Sequence, residues 1–279
     1  MGVTIKNKTI KGFIYIFLIL LAILCVVPFF LMIINSTRSG NEIMTGFSFF
    51  PGGSLAENWK VVSENLDIFR GMLNSLFIAV CSTILCSYFS ALTAYGLAFY
   101  KFRGAKLIFG VMLVFMMVPA QLSLLGFYDL CNNLKITNTY IPLIVPSIAT
   151  PAVVFFLRQY VLSVLPKAVL EAPRIDGASE IKIFHKIVLP IMAPGIATMA
   201  IGTFIGSWNS YLIPLVLLSK QELLTLPVMI GSLQSVTDIA SNAGATYLAV
   251  AISVIPILIV FAFCSKYIIS SISAGSVKE

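Results

Sequence analysis

Glu171-Ala172-Pro173-Arg174-Ile175-Asp176-Gly177, closed by Ile187-Val188-Leu189-Pro190, is a polar, amphipathic stretch set between two long apolar segments. Apolar runs of membrane length on both sides make it a loop of an integral membrane protein. It lies on the side that carries most of the positive charge, which is the cytoplasmic side. The stretch therefore reads as a docking element for a cytoplasmic partner.

Working outward, six apolar runs are long enough to cross hydrocarbon, at roughly 13–34, 71–99, 107–128, 140–157, 191–218 and 247–264. A helix rising about 1.5 Å per residue needs about 20 residues to cover a core about 30 Å thick. The fourth and sixth runs are the shortest. The runs are continuous rather than alternating, which excludes a barrel. The chain has 279 residues, 59% hydrophobic and 10% charged, with a mean hydropathy of +1.00. A soluble domain would carry about a quarter charged residues. The expected fold is an all-α membrane protein with six transmembrane helices.

Orientation follows from Lys and Arg. With the N-terminus in the cytoplasm, the outer segments hold only Arg38, Lys60, Arg70, Lys135 and Lys220, and the other 13 of the 18 basic residues lie inside. The net charge of +7 is thus a topology signal and not a nucleic-acid footprint. Both termini are expected in the cytoplasm, residues 1–12 as a short N-terminal segment and 266–279 as a tail. Residues 13–279 form a single membrane domain with an inner loop at 158–190. The first apolar run exceeds the core of a signal peptide and is expected to stay as an anchor. The five cysteines make no metal-type pair and read as packing residues. In the outer loop 35–70, the aromatics of Phe47-Ser48-Phe49-Phe50-Pro51 and Trp59 suit either interface anchoring or an external partner.

No run has Asp, Glu, Lys, Arg or His in its central part. Ion-coupled pumps usually need such groups, so a solute path here is neutral and its energy comes from elsewhere. Gly195, Thr198, Gly202 and Gly206 form one small-residue stripe at helical spacing, and Ser82, Cys86, Ser90 and Thr93 form another. Such faces let helices pack closely or line a path. Gln121, Trp208, Asn209 and Tyr211 are the better path candidates, because amides and aromatics suit a neutral polyhydroxylated solute. Prolines in or near the spans, Pro119 and Pro256 among them, can kink their helices.

Within the inner loop, Leu165-Pro166-Lys167 starts a helix with Pro in its first turn. Glu171 and Arg174 share a polar face. Gly177 permits a turn, and Asp176 can cap the helix that follows. Ile181, Phe184, Val188 and Leu189 make that helix's apolar face, and Pro190 ends it at the membrane. Two short helices joined at a glycine form a knob that a partner can grip. The alternative is an amphipathic helix on the membrane surface.

Enzyme motifs are missing. His185 is the one histidine, and the chain has no G-x-x-x-x-G-K-[ST], H-E-x-x-H or G-x-S-x-G. It is expected to be no catalyst on its own, with no metal or cofactor site.

Glu171-Ala172-x-x-x-x-Gly177, nine residues and then Ile187-x-Leu189-Pro190 resembles the signature loop of permease subunits of binding-protein-dependent ATP-binding-cassette importers. Phe156-Leu157-Arg158-Gln159, Leu165-Pro166-Lys167, Arg174-Ile175-Asp176-Gly177-Ala178-Ser179 and Trp208-Asn209-x-Tyr211-Leu212-x-Pro214-Leu215 resemble its carbohydrate branch. The ending Ala274-Gly275-Ser276-Val277-Lys278 resembles that of the maltose-type second permease, whose tail reaches its ATPase. One departure is Pro173, where the family usually has a second Ala; it can shorten or bend the first loop helix.

The resemblance implies a type I importer permease fold and a bacterial or archaeal plasma membrane. It implies a second permease, two ATPase subunits that hold ATP and Mg, and an extracytoplasmic solute-binding protein. Glu171, Ala172, Asp176, Gly177, Ile187, Leu189 and Pro190 would couple to the ATPase, and Gly275, Ser276, Val277 and Lys278 would touch it. The cargo would be a sugar or oligosaccharide. A glycerol phosphate or a polyamine remains open, as does a docking scaffold that transports nothing.

Overall fold

A computed structural model describes residues 8–236 and 242–276. Every regular element among the described residues is helical. The chain packs as two compact units.

The first unit comprises residues up to 68 together with 229–255. It opens on α1 (Lys8–Ser36), whose apolar side chains are exposed along its length, Phe13 at 72% and Leu24 at 70%. Two short helices follow, α2 (Gly40–Thr45) and α3 (Leu55–Asn65). Ser39 and Glu42 close a capping box on α2. Arg38 is buried, and its guanidinium donates to Asn35 Oδ1 and to the carbonyls of Glu42 and Gly46. Asn58 Nδ2 donates to the carbonyls of Ser36 and Arg38. The aromatics between α2 and α3 are bare, Phe47 at 67% and Phe50 at 79% exposure.

The second unit comprises residues 69–228 and 256–279. Its elements are α4 (Ile68–Phe99), α5 (Ala105–Met116), α6 (Leu124–Asn133), α7 (Ile141–Ile144), α8 (Pro151–Val164), α9 (Ala168–Ile175), α10 (Glu180–Ile183), α11 (Leu189–Trp208) and α12 (Leu212–Leu217). Beyond them α13 (Leu226–Val236) and α14 (Ala243–Ser276) each have residues in both units. Its core joins Cys86, Ala91 and Tyr95 of α4 to Val154, Leu157 and Val161 of α8 and to Phe184, Val188 and Met192 at the entry to α11.

Among the described residues, five helical stretches are long and apolar enough to cross a membrane: Ile10–Ser36, Ile68–Phe99, Ile141–Val164, Glu180–Trp208 and Ala243–Phe263. The run expected at 107–128 is not one helix. Its apolar helix Ala105–Phe115 is short, and Pro119 adopts extended backbone (φ −61°, ψ 125°) before a 3-10 turn, Ala120–Ser123, leads into α6. Proline has no N–H to continue the ladder, and its ring crowds the preceding turn. The run expected at 191–218 also breaks, at Asn209-Ser210, and begins earlier, at Glu180.

The small-residue stripe on α11 divides in two. A Cβ on Gly195 would sit 2.5 Å from the Tyr160 ring, so α8 and α11 meet closely there, whereas nothing lies within 4 Å of a Cβ on Gly202 or Gly206. Tyr160 is itself stacked on Phe156. Gly195→Val is therefore expected to cost about 1–3 kcal/mol, read as a lower Tm of the purified subunit. Gly202→Ala is expected to leave Tm unchanged or slightly raised; equal effects at both positions would refute this packing assignment.

Candidate functional site

The loop between α8 and α11 is built as two helices hinged at a glycine. Helix α9 continues through Pro173 to Ile175 and ends in a Schellman motif. The Ala178 N–H donates to the Pro173 carbonyl at 2.9 Å, and the Gly177 N–H to the Arg174 carbonyl at 3.1 Å. Gly177 takes the left-handed conformation this ending needs, φ +76°. Pro173 thus neither shortens nor breaks the helix. The α10 cap is Ser179, whose hydroxyl accepts from the Lys182 N–H, and not Asp176, which caps the C-terminus of α9. Asp176 lies on the wrong side of the glycine turn to reach α10.

Pro190 does not end the second loop helix. A π-helical turn, Phe184–Val188, joins α10 directly to α11, and the Leu189 N–H donates to the Phe184 carbonyl. The wider turn absorbs the missing donor and the bulk of Pro190. Its inward face also differs from the expected one. Ile183, Phe184 and Val188 are buried, while Ile181 is 74% exposed.

A carboxylate that sequence reasoning passed over anchors this loop. Glu180 receives Arg174 Nε at 2.8 Å and Arg174 Nη2 at 3.2 Å. It also receives Tyr95 Oη at 3.3 Å and Tyr100 Oη. The Arg174 guanidinium lies 5.7 Å from the centre of the Tyr100 ring. The loop is thereby tied to the end of α4. Burial, with the bond to Glu180 next, pushes the Tyr100 phenol well above its ordinary pKa. The bond to Glu180 likewise raises Arg174. Both stay protonated at any physiological pH. The signal available in sequence was an Arg and a Glu flanking the Gly177 turn.

With its inner face fixed, the loop turns the remaining residues outward. Glu171 and Ala172 are exposed on α9, and Glu171 has no partner among the described residues. Ile175 is 86% exposed and Ile181 74%, so two large apolar side chains stand bare around the hinge beside the exposed Glu171 and Asp176. Asp176 and Gly177 form the hinge itself. Ile187 and Leu189 are half-buried, packed against the core, and Pro190 is exposed.

The path candidates separate. Gln121 and Tyr211 line one recess of about 250 Å³, with Ser210 and Ile213. Trp208 is buried at 1% exposure and stacked on Phe204, a packing position. Asn209 is exposed, and its N–H donates to the Ile205 carbonyl where α11 ends. Gly275 and Ser276 belong to the last turn of α14; Val277 and Lys278 lie outside the described residues.

Residues 84–273 match the family described as the binding-protein-dependent transport system inner membrane component. The arabinooligosaccharides transport system permease protein AraQ of Bacillus subtilis is 33% identical over 267 residues, 94% of each chain. The diacetylchitobiose uptake system permease protein NgcG of Streptomyces coelicolor is 32% identical over 263 residues, covering 93% of this chain and 86% of that one. In the crystal structure of a bacterial ABC transporter that imports the acidic polysaccharide alginate, one chain shares the fold. The TM-score is 0.79 at 21% identity, covering 96% of this chain and all of that one. The chain is a multi-pass membrane protein and belongs to the family of binding-protein-dependent transport system inner membrane components, the permease subunits of ATP-binding-cassette transporters, which are not themselves enzymes.

Proposed function

We propose that this chain is one of two permease subunits enclosing a path for a neutral sugar or oligosaccharide across the bacterial plasma membrane. It crosses six times with both termini in the cytoplasm, and separate ATPase subunits drive it by gripping α9. The carrying observation is the loop's two-sided character: Glu180 fastens its inner side, while Glu171, Ile175 and Ile181 stand bare on the other. A rigid surface with an apolar centre and charges around it suits a protein partner. In this reading Glu171 pairs with a basic side chain of the ATPase, Ala172 allows close approach, and Asp176 and Gly177 shape the hinge. Ile187, Leu189 and Pro190 carry motion into α11. An extracytoplasmic binding protein delivers the solute, and closure of the ATPases on ATP and Mg switches the path between two states.

The broken third span supports the path. Helix α5, 12 residues long, reaches about 18 Å at 1.5 Å per residue, short of a full crossing. Irregular backbone at membrane depth is tolerated where it lines a cavity, and Gln121, in the 3-10 turn just past the break, does line one. The names of AraQ and NgcG, for arabinooligosaccharides and diacetylchitobiose, point to saccharide cargo.

The test is purification with copurifying subunits, reconstitution into vesicles, and measurement of ATP hydrolysis with candidate solutes and the binding protein. Arabinooligosaccharides or a related neutral saccharide are expected to stimulate it, and glycerol phosphate and spermidine are not. Failure to recover an ATP-hydrolysing subunit, or stimulation by the charged solutes alone, defeats the proposal.

A further inference from the structure

We infer that this chain itself holds one ring of a neutral polyhydroxylated solute, in a largely apolar cavity of its second unit that carries several hydroxyls. The inference rests on the transport reading above and adds a contact site to it. The cavity has a volume of about 260 Å³, and its wall is drawn from α4, α6, α7 and the turn after it, α11, α12 and the segment before α13. Ser75, Ser147, Thr203, Ser207, Ser210 and Thr225 bring hydroxyls to it. Among the described residues no charged side chain lines it. Phe127 and three prolines supply apolar surface beside the hydroxyls.

Such a wall matches a sugar ring, whose C–H faces are apolar and whose rim is all donors and acceptors. A charged solute would be stripped of water here with nothing to pair it. The volume falls just below the range of about 300–1,000 Å³ typical of pockets for drug-sized ligands, so it suits a single ring.

One buried hydroxyl is left over among the described residues. Thr225 is 4% exposed, and its Oγ1 has no hydrogen-bond partner among them. Buried polar groups rarely go unpaired, and each exception asks for an explanation. Beside it Ser75 Oγ accepts from the Leu226 N–H at 2.9 Å and keeps its own proton to give. The cavity shares Ser210 and Ile213 with the Gln121–Tyr211 recess, so a solute in one is within reach of the other.

The test uses Ser207→Cys in the complex purified with its copurifying subunits, and measures the alkylation rate with a hydrophilic maleimide. The parent chain's own cysteines set the background. Arabinotriose is expected to slow alkylation about fivefold at four times its Kd, while glycerol 3-phosphate and spermidine leave the rate unchanged. Adding Thr225→Val is expected to raise the half-protective concentration about three- to tenfold, the value of one neutral hydrogen bond. Thr225→Ser is expected to restore it. If Ser207→Cys does not assemble, Ser210→Cys serves as the probe. No protection by the trisaccharide, protection by all three solutes alike, or indifference to Thr225→Val overturns the inference. Sugar-stimulated ATP hydrolysis with no protection would sink this subsite and leave the transport reading standing. Absence of any sugar stimulation would sink that reading instead.

Discussion

Glu171→Ala is expected to cut solute uptake by the reconstituted importer about 30-fold or more while leaving the subunit inserted and folded. Glu171 is exposed on α9, and no described residue of its own chain pairs with it. Its removal therefore costs the isolated subunit almost nothing. In the complex it would be the charged member of a small interface centred on Ile175 and Ile181, at 86% and 74% exposure. Truncating a central charged contact costs about 2 kcal/mol or more, because the partner's cation is left unpaired. That corresponds to about 30-fold. ATP hydrolysis by the ATPase subunits is expected to continue, so the signature is hydrolysis without uptake. An uptake rate within about twofold of the parent's would remove Glu171 from the contact.

Glu180→Ala is expected to fail in another way, by loosening the loop. The carboxylate gathers a two-bonded guanidinium and two phenols. Arg174 and Glu180 side chains are 36% and 45% exposed, so water screens the ion pair to about 0.2–1 kcal/mol. The tyrosine bonds to a charged acceptor are stronger singly, about 1.5–3 kcal/mol where buried. Together they support an expected loss of about 2 kcal/mol in local order. Amide hydrogen exchange at residues 174–183 is expected to speed up about 30-fold, and uptake to fall about tenfold. Glu180→Gln keeps acceptors for the phenols and loses the ion pair, so it is expected to fall between. Unchanged exchange in Glu180→Ala would show that Phe184 and Ile183 hold the loop unaided.

The loop was legible because its signals are local. A glycine that must adopt φ +76° and a short helix before it follow from a few adjacent residues. The carboxylate that fastens the loop was not, since its phenol partners lie 80 residues or more away, on α4 and just past its end. Pro119 reads as able to kink its helix, but the full break there was hidden for a different reason. Residues on both sides of it are apolar, and hydropathy alone cannot separate one long helix from two short pieces. Trp208 read as a path residue because indole suits sugars, yet its ring lies in the packing of α11. Thr225 gave no sign at all, because an unmet hydrogen bond exists only once the chain has folded around it.

The wide turn at Phe184–Val188 has a consequence for how force travels. It makes the loop's second helix and α11 a single rod, 29 residues from Glu180 to Trp208, with no hinge of loose chain between. Torque applied at the loop end of the rod would arrive at the far end with its angle preserved. The phase of that rod depends on one surplus residue in the turn. Excising a residue there would twist everything beyond by about 100°. Gly195 would then face away from Tyr160, and the recess-lining side of the rod would point elsewhere.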